Sequence, residues 1–312
     1  ADHQWESSLW AMSVAYSAFF QWERLDSLMR DDVYRLLKAE CDYELERDIP
    51  TGYIGDTKAE ENGWEVDVLA AALGLFPDDV LAPRWFQRMR EFAVNSYSHP
   101  SDADNHTIPD PWYDNSTISS MYRGANLYPD WTLQNHDFFH TSYQNVVIQE
   151  LGEAALALRL FQGDRQKWKS ETLLHNCDSV TQNVLNWLTL PDGEQAMPNG
   201  NDWSLFLYDQ VTSYSTMACM RGDADALLFE QQALRKIARR QQTTPDGAWL
   251  LRPDVGARRM GVQGHRVMMT WLMHHIFPVG GMQPADVKDF MLRHAEARIL
   301  PCQNIVRTMT SD

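Results

Sequence analysis

Proton-handling side chains lie close together in the stretch QNHDFFHTSY, which contains Asn135, His136, His140 and Tyr143. If a helix begins near His136, positions 136, 140 and 143 are spaced by four and three residues and share one face, with Asn135 at the N-cap. Imidazole and phenol groups in this arrangement are suited to general acid–base catalysis. The structural alternative is that Asn135 only caps the helix and the two histidines are polar residues of its first turn.

A metal site is the other chemistry that two histidines four residues apart suggest. The segment HDFFH lacks the glutamate that zinc proteases of the HExxH type carry, so we predict no metal and no cofactor here. The chain also has no P-loop, GxGxxG, GxSxG or CxxC motif, which argues against nucleotide, hydride and serine-esterase chemistry. Its four cysteines are far apart and are expected to be buried thiols: Cys41, Cys177, Cys219 and Cys302.

Polar and aromatic residues also open the segment KAEENGWEVD. Trp64 offers a flat surface on which a sugar can stack, and Asn62 or Glu65 offers a hydrogen-bonding group beside it. The structural alternative is that acidic residues in a first helical turn simply complement the helix dipole.

The segment MPNGNDWSLFLYDQVTSY has a similar composition. Asn201 or Asp202 is suited to cap a helix, and Trp203, Tyr208 and Asp209 follow. We expect Asn201 and Trp203 to contact a substrate.

Cations that could hold a carboxylate occur in two places. In VQGHRVMMTW, His265 and Arg266 interrupt an apolar helix, and the guanidinium fork of Arg266 matches a carboxylate. Arg123 and Trp131, in a long segment rich in aromatic residues, add a second cation and another stacking surface.

The elements that must position these residues are helices. Apolar residues recur at helical spacing through most of the sequence, which predicts an all-α protein. The predicted helices cover residues of about 4–23, 27–48, 58–76, 82–97, 138–162, 169–189, 203–220, 223–241, 258–277 and 284–298. Short turns at FPDD, FQGD, MRGD and FPVGG pair them into helical hairpins.

The helices before these turns share a polar, aromatic start that gives way to small or apolar residues. We interpret them as the inner helices of a toroid, an (α/α)n ring of about five to six hairpins, whose helix starts line one mouth. Their partners carry more charged residues, as an outer layer should. The whole chain, 1–312, is predicted to be one such domain, with the long aromatic loop at about 98–135 over the mouth.

Composition limits the partners. The net charge of −16 disfavours binding to nucleic acid or anionic lipid. No apolar run approaches the roughly 20 residues that a membrane helix needs, so we predict no membrane insertion.

These segments resemble the α/α-toroid polysaccharide lyases, such as the alginate, chondroitin and heparin lyases, on QNHDFFHTSY and ENGW. The resemblance implies cleavage of an acidic, uronate-containing polysaccharide by β-elimination, in a secreted or periplasmic protein. It further implies that Asn135, Asn62, Arg123 or Arg266 neutralises the uronate carboxylate. His136 or His140 would be the base, and Tyr143 or Tyr208 the acid.

Other functions fit the same ring of helices. A glycoside hydrolase would need two carboxylates beside the scissile bond, and Glu65 with Asp202 or Asp209 could serve. A sugar epimerase would use paired histidines. A glycan-binding protein without catalytic activity would use the tryptophans and tyrosines as stacking surfaces only.

Overall fold

The computed structural model describes residues 3, 4, 6–202, 210–248 and 256–311, with the backbone alone described at 256–259. Helices make up most of the described chain, which confirms the all-α class. The chain forms two compact units. The first contains Ala1–Pro129, Leu133–Asp137 and Glu150–Asn176, and the second contains Asp130–Thr132, Phe138–Gln149 and Cys177–Asp312.

The first unit consists mainly of long helices. Its elements are α1 (Ser7–Gln21), α2 (Ser27–Glu46), α3 (Ala59–Leu75), α4 (Ala82–Ser96), α5 (Ile118–Met121), the short strand β1 (Gln134–Asn135), and the part of α6 (Thr141–Gln162) that follows Gln149. Helix α2 begins as predicted because the side chain of Asp26 accepts a hydrogen bond from the backbone nitrogen of Met29 at 2.8 Å.

Helix α3 forms the centre of the first unit. Most of its side chains are fully buried, and it packs against α1, α2 and α4. Gly74 permits a close approach to α6, because a Cβ at this position would lie 2.7 Å from the Cβ of Phe161 and 3.0 Å from the carbonyl oxygen of Ala157. The small and apolar residues that follow the polar start of α3 allow this close packing.

The second unit contains helices and one small hairpin. Its elements are β2 (Phe138–Phe139), α6 up to Gln149, α7 (Cys177–Val180), a π-helical turn (Thr181–Leu185), α8 (Asn186–Leu188), α9 (Val211–Arg221), α10 (Ala224–Gln241), α11 (Gly256–Ile276), α12 (Val287–Arg293), β3 (Ala297–Leu300) and β4 (Ile305–Thr308).

Helix α9 forms the centre of the second unit. It is buried from Val211 to Ala218 and packs against α10 and α11. The turn predicted at MRGD is confirmed: Gly222 ends α9 in the left-handed conformation, with φ of 69°, and the side chain of Asp223 caps α10. The surrounding core consists of Trp187, Val211, Tyr214, Leu228, Phe229, Ala233, Ile237, Phe290 and Met309.

Two predicted helices are wrong in part. The helix expected at 169–189 is instead a 3-10 turn at Glu171–Leu174 followed by the short helices α7 and α8 on either side of the π-helical turn. The helix expected at 284–298 ends at Arg293, and the following residues form β3, which pairs antiparallel with β4. Asn304, with φ of 55°, reverses the chain between these strands, and the resulting strand pairing overrides the helical spacing.

The aromatic segment at 98–135 is ordered by short elements and buried amides. It contains a 3-10 turn at Pro100–Asp104, α5 and β1. Asn126 is fully buried, accepts a hydrogen bond from the backbone nitrogen of Gly52 at 2.8 Å, and donates to the carbonyl oxygen of Asn95. These bonds attach the part of the segment around Asn126 to the rest of the first unit.

Among the helices that the structure describes, none is both long enough and apolar enough to cross a bilayer.

Candidate active site

The start of α6 differs from the prediction. His136 and Asp137 have positive φ values of 55° and 68°, which place them in a tight turn, and the helix begins only at Thr141. His140 directly precedes the helix, and its carbonyl oxygen accepts the hydrogen bond of the Gln144 backbone nitrogen at 3.0 Å. The prediction that positions 136, 140 and 143 share a helix face is therefore wrong, because His136 is not helical.

Asn135 is also not the helix cap, since it lies in β1 of the first unit. Its side chain is buried and donates hydrogen bonds to the carboxylates of Glu60, at 2.7 Å, and Asp56, at 3.2 Å. Burial, together with the nearby negative charges of Glu61 and Asp56, raises the pKa of Glu60 to about 8. Within the first unit, the amide of Asn135 therefore contacts one buried carboxyl group, that of Glu60, and one exposed carboxylate, that of Asp56.

A histidine–carboxylate pair lies in the second unit. The Nε2 atom of His140 is 3.1 Å from Oδ1 of Asp202. The imidazole is fully buried, whereas the side chain of Asp202 is 49% exposed. If Nε2 carries the proton of this hydrogen bond, Nδ1 carries the lone pair and is the basic atom of the ring.

Aromatic rings fix the orientation of this imidazole. The ring of Phe138 stacks on His140 with a centroid distance of 4.8 Å, and the ring of Tyr143 meets it edge-on at the same distance. Tyr143 is itself 9% exposed. The structure thus brings His140 and Tyr143 together, as predicted, although they are neighbours across the start of the helix and not along one helical face.

A chain segment before Asp202 is attached to the first turn of α6. The amide nitrogen of Asn201 donates to Oγ of Ser142 at 2.8 Å, and Oγ1 of Thr141 donates to the carbonyl oxygen of Ala196 at 3.1 Å. These hydrogen bonds place Asp202 beside His140. Asn201 is partly exposed.

Arg266 and Trp131 are integrated into the second unit. Arg266 is 3% exposed, and its Nη1 donates to the side-chain oxygen of Gln210 at 3.3 Å. Its neighbour His265 is partly exposed. Trp131 is partly buried against the apolar cluster that includes Phe139.

The predicted substrate contacts of α3 are largely structural. Asn62 is fully buried and donates hydrogen bonds to the carbonyl oxygens of Pro50 and Lys58, at 2.9 and 2.7 Å. Glu65 is buried and bonded to Arg47, and burial raises its pKa. These contacts correct the expectation that Asn62 and Glu65 face a substrate, because their polar groups are used inside the first unit.

The remaining predicted residues of the first unit are more accessible. Trp64 is partly exposed. The side chain of Arg123 is 43% exposed and donates to the carbonyl oxygen of Ser120 at 2.9 Å. Three predicted residues, Trp203, Tyr208 and Asp209, lie outside the residues that the structure describes.

The sequence did not predict the partnership of His140 with Asp202. It suggested Asp202 only as a helix cap or as one of the two carboxylates of a hydrolase. The two residues are 62 positions apart, and no spacing rule connects them. The imidazole nitrogen of His140 and the carboxylate oxygen of Asp202 are also atoms of the types that bind metal ions. Their separation of 3.1 Å suits a hydrogen bond, and it also approximates the distance between two ligands of one tetrahedral ion.

Comparison of the chain with models of known protein families, with curated proteins and with solved structures found no match.

Proposed function

We propose that this chain is a polysaccharide lyase that cleaves a uronate-containing glycan by β-elimination on an α/α-toroid. The helical composition, the buried helices α3 and α9, and the hairpin turns that end α3 and α9 support the toroid. The observation that carries the activity is the hydrogen bond between His140 and Asp202 beside the ring of Tyr143.

His140 removes the proton at C5 of the uronate in this proposal. Asp202 fixes the tautomer in which Nε2 carries the proton, so that Nδ1 can accept another, and it stabilises the imidazolium that forms. The carboxylate of Asp202 is therefore a positioning group. Since His140 is fully buried, the glycan must gain access to the imidazole when it binds.

The uronate carboxylate must be neutralised before C5 becomes acidic enough to lose its proton. Removal of that proton gives an enolate-like dianion, which hydrogen-bond donors and cations stabilise. In the second unit, the amide of Asn201 and the guanidinium of Arg266 are the groups that we assign to this task. The negative charge of the whole chain makes such local donors necessary.

Tyr143 completes the reaction by protonating the departing O4 oxygen. Its phenol is suited to this role because a tyrosine hydroxyl can donate a proton and the Tyr143 ring lies against the imidazole. The products are a new reducing end and a sugar with a double bond between C4 and C5, conjugated with the carboxylate.

Ultraviolet absorbance tests the proposal directly. The protein is incubated with alginate, chondroitin sulfate, heparan sulfate and pectate, and the absorbance of the conjugated product is followed together with reducing ends. A lyase increases both signals, whereas a hydrolase produces reducing ends only and a binding protein produces neither. Loss of the absorbance signal in His140→Ala and Tyr143→Phe, with retention in His106→Ala at an exposed histidine, supports the assigned roles. Full activity in both active-site variants contradicts them.

A further inference from the structure

Helix α1 of the first unit has an exposed face without charge. None of the residues of α1 is charged, although the chain as a whole carries a net charge of −16. Surface helices usually place charged residues on the side that faces solvent. The exposed residues of α1 recur at helical spacing and are Trp10, Ser13, Val14, Ser17 and Phe20. This face therefore differs from that of an ordinary solvated helix.

The two serines of this face form their hydrogen bonds inside the helix. Oγ of Ser13 donates to the carbonyl oxygen of Leu9 at 3.1 Å, and Oγ of Ser17 donates to that of Ser13 at 2.9 Å. Such hydroxyls can enter a contact between helices without leaving an unsatisfied donor. Trp10 and Phe20, each about half exposed, add apolar surface along the same face. The face is therefore suited to burial against another helix.

A groove of about 580 Å³ runs beside this face, between α1 and α2. Trp10, Ala11 and Val14 line it on α1, and Leu36 and Ala39 line it on α2. In each helix these positions are spaced by three or four residues and share one face. The alanines let the backbone of another helix approach closely, and the three larger side chains give it apolar surface to bury. The groove is therefore shaped to receive an apolar helix.

The charged groups at the two ends of the groove already have partners within the chain. At one end, Oε2 of Glu40 lies 2.9 Å from Nδ1 of His3, and Oε1 accepts a hydrogen bond from Ser7. At the other end, the guanidinium of Arg35 bonds with the carboxylate of Asp32. A basic partner would have to compete with these pairs, so an uncharged helix fits the groove better.

We propose that this chain forms a two-fold dimer in which α1 of each copy lies in the groove between α1 and α2 of the other. In a two-fold contact the same surface serves both copies, and here that surface contains both the helix and the groove that receives it. Two copies that each carry a net charge of −16 repel each other. Because α1 has no charged residue, it can meet its own copy without placing like charges opposite each other.

The size of this surface sets the expected strength of the dimer. Helix α1 is about 22 Å long, and two helices side by side are about 20 Å wide, so the contact covers roughly 900 Å² over both copies. This area lies at the low end for specific protein interfaces, so we expect a weak dimer with a Kd of about 10–100 µM.

Sedimentation equilibrium at protein concentrations of about 5–500 µM measures this association. The dimer fraction should rise with concentration. The Kd should fall several-fold when NaCl is raised from about 0.05 to about 0.5 M, because salt screens the repulsion between two acidic chains. A monomer at every concentration and salt overturns the proposal. A dimer that salt dissociates also overturns it, since ion pairs would then form the contact.

A lysine in the exposed face of α1 tests where the contact lies. Val14→Lys introduces a charge into the contact from both copies, so we expect the Kd to rise at least about tenfold. Val80→Lys is the matched control, because Val80 is 88% exposed, lies outside α1 and α2, and gains the same charge. Its Kd should not exceed that of wild type. Equal Kd values for the two variants contradict the assignment.

Two further measurements keep the result interpretable. Thermal unfolding midpoints close to that of wild type show that the variants are folded, and Leu36→Lys repeats the test from the opposite wall of the groove. A basic partner is tested with a synthetic helical peptide of leucine and lysine. If the chain stays monomeric and binds this peptide, and Val14→Lys weakens the binding, the groove belongs to a basic helix and the dimer proposal is wrong.

Discussion

The carboxyl groups of Glu44 and Glu65 both face the guanidinium of Arg47 in the interior of the first unit, where α2 packs against α3. The Glu44 side chain is fully buried, and the Glu65 side chain is 1% exposed and also bonded to Arg47. Burial, followed by the interaction with Glu65, raises the pKa of Glu44. Two carboxyl groups and one cation in a dry site favour a state in which Glu44 keeps its proton.

This pair makes the stability of the first unit depend on pH. Below pH of about 4.3, Glu44 is protonated in both the folded and the unfolded chain. As pH rises above that value, the unfolded chain loses the proton while the folded chain retains it, so the free energy of unfolding falls. The side-chain amide of Glu44→Gln can donate to Glu65 and has no proton that titrates. We therefore expect its free energy of unfolding to exceed that of wild type by about 1–3 kcal/mol between pH 5 and pH 9.

Urea denaturation at pH 5, 7 and 9 measures this difference. Glu46→Gln is the matched control, because its side chain is 81% exposed near the end of the same helix. A Glu44→Gln variant whose stability follows that of wild type at every pH would show that Glu44 ionises normally in the folded chain.

The role of Asp202 is open to a second test. Asp202→Asn keeps the size of the side chain but removes the charge that holds the His140 tautomer, so kcat for elimination should fall by about 10²–10⁴, with a small change in KM. Steady-state rates of absorbance increase give both constants. Asp104→Asn, at an exposed aspartate, is the control. An unchanged kcat in Asp202→Asn would remove Asp202 from the mechanism.

A metal ion bound by His140 and Asp202 would replace the hydrogen bond between them. We expect incubation with EDTA to leave lyase activity unchanged, since the proposed base and acid are protein side chains. We also expect added zinc to inhibit, because an ion bound to His140 and Asp202 would occupy the nitrogen and oxygen of the hydrogen bond. Loss of activity in EDTA that zinc restores would show that the pair holds a metal instead.

Local signals explain why most helices were predicted from sequence. Asp26 and Asp223 are cap residues with short, specific contacts to the backbone, and Gly222 marks the end of a helix by its left-handed φ. These features depend only on neighbours in the chain. Strand β3 was missed because pairing with β4 is a contact between segments and outweighs local propensity.

The candidate site was harder to predict because residue type does not reveal what a polar group contacts. Asn62 is of a residue type that often binds ligands, yet its side-chain amide donates hydrogen bonds to the backbone carbonyl oxygens of Pro50 and Lys58. His136 precedes an aspartate in a turn with two positive φ values, a conformation for which the dipeptide His136–Asp137 gives only a weak signal. The contact of His140 with Asp202 arises from folding and has no signature in the sequence.

Close packing of α3 gives a prediction that does not depend on function. Gly74→Ala places a Cβ 2.7 Å from the Cβ of Phe161 and 3.0 Å from the carbonyl oxygen of Ala157, neither of which is the end of a flexible chain. The helices must separate, so we expect the free energy of unfolding to fall by about 1–3 kcal/mol. Gly261→Ala is the matched control, since Gly261 is an exposed helical glycine with no atom within 4 Å of the added Cβ. It should stabilise the protein by about 0.5–1 kcal/mol, because alanine is the better helix former. Chemical denaturation of both variants measures the two changes, and equal effects of the same sign would contradict the close contact at Gly74.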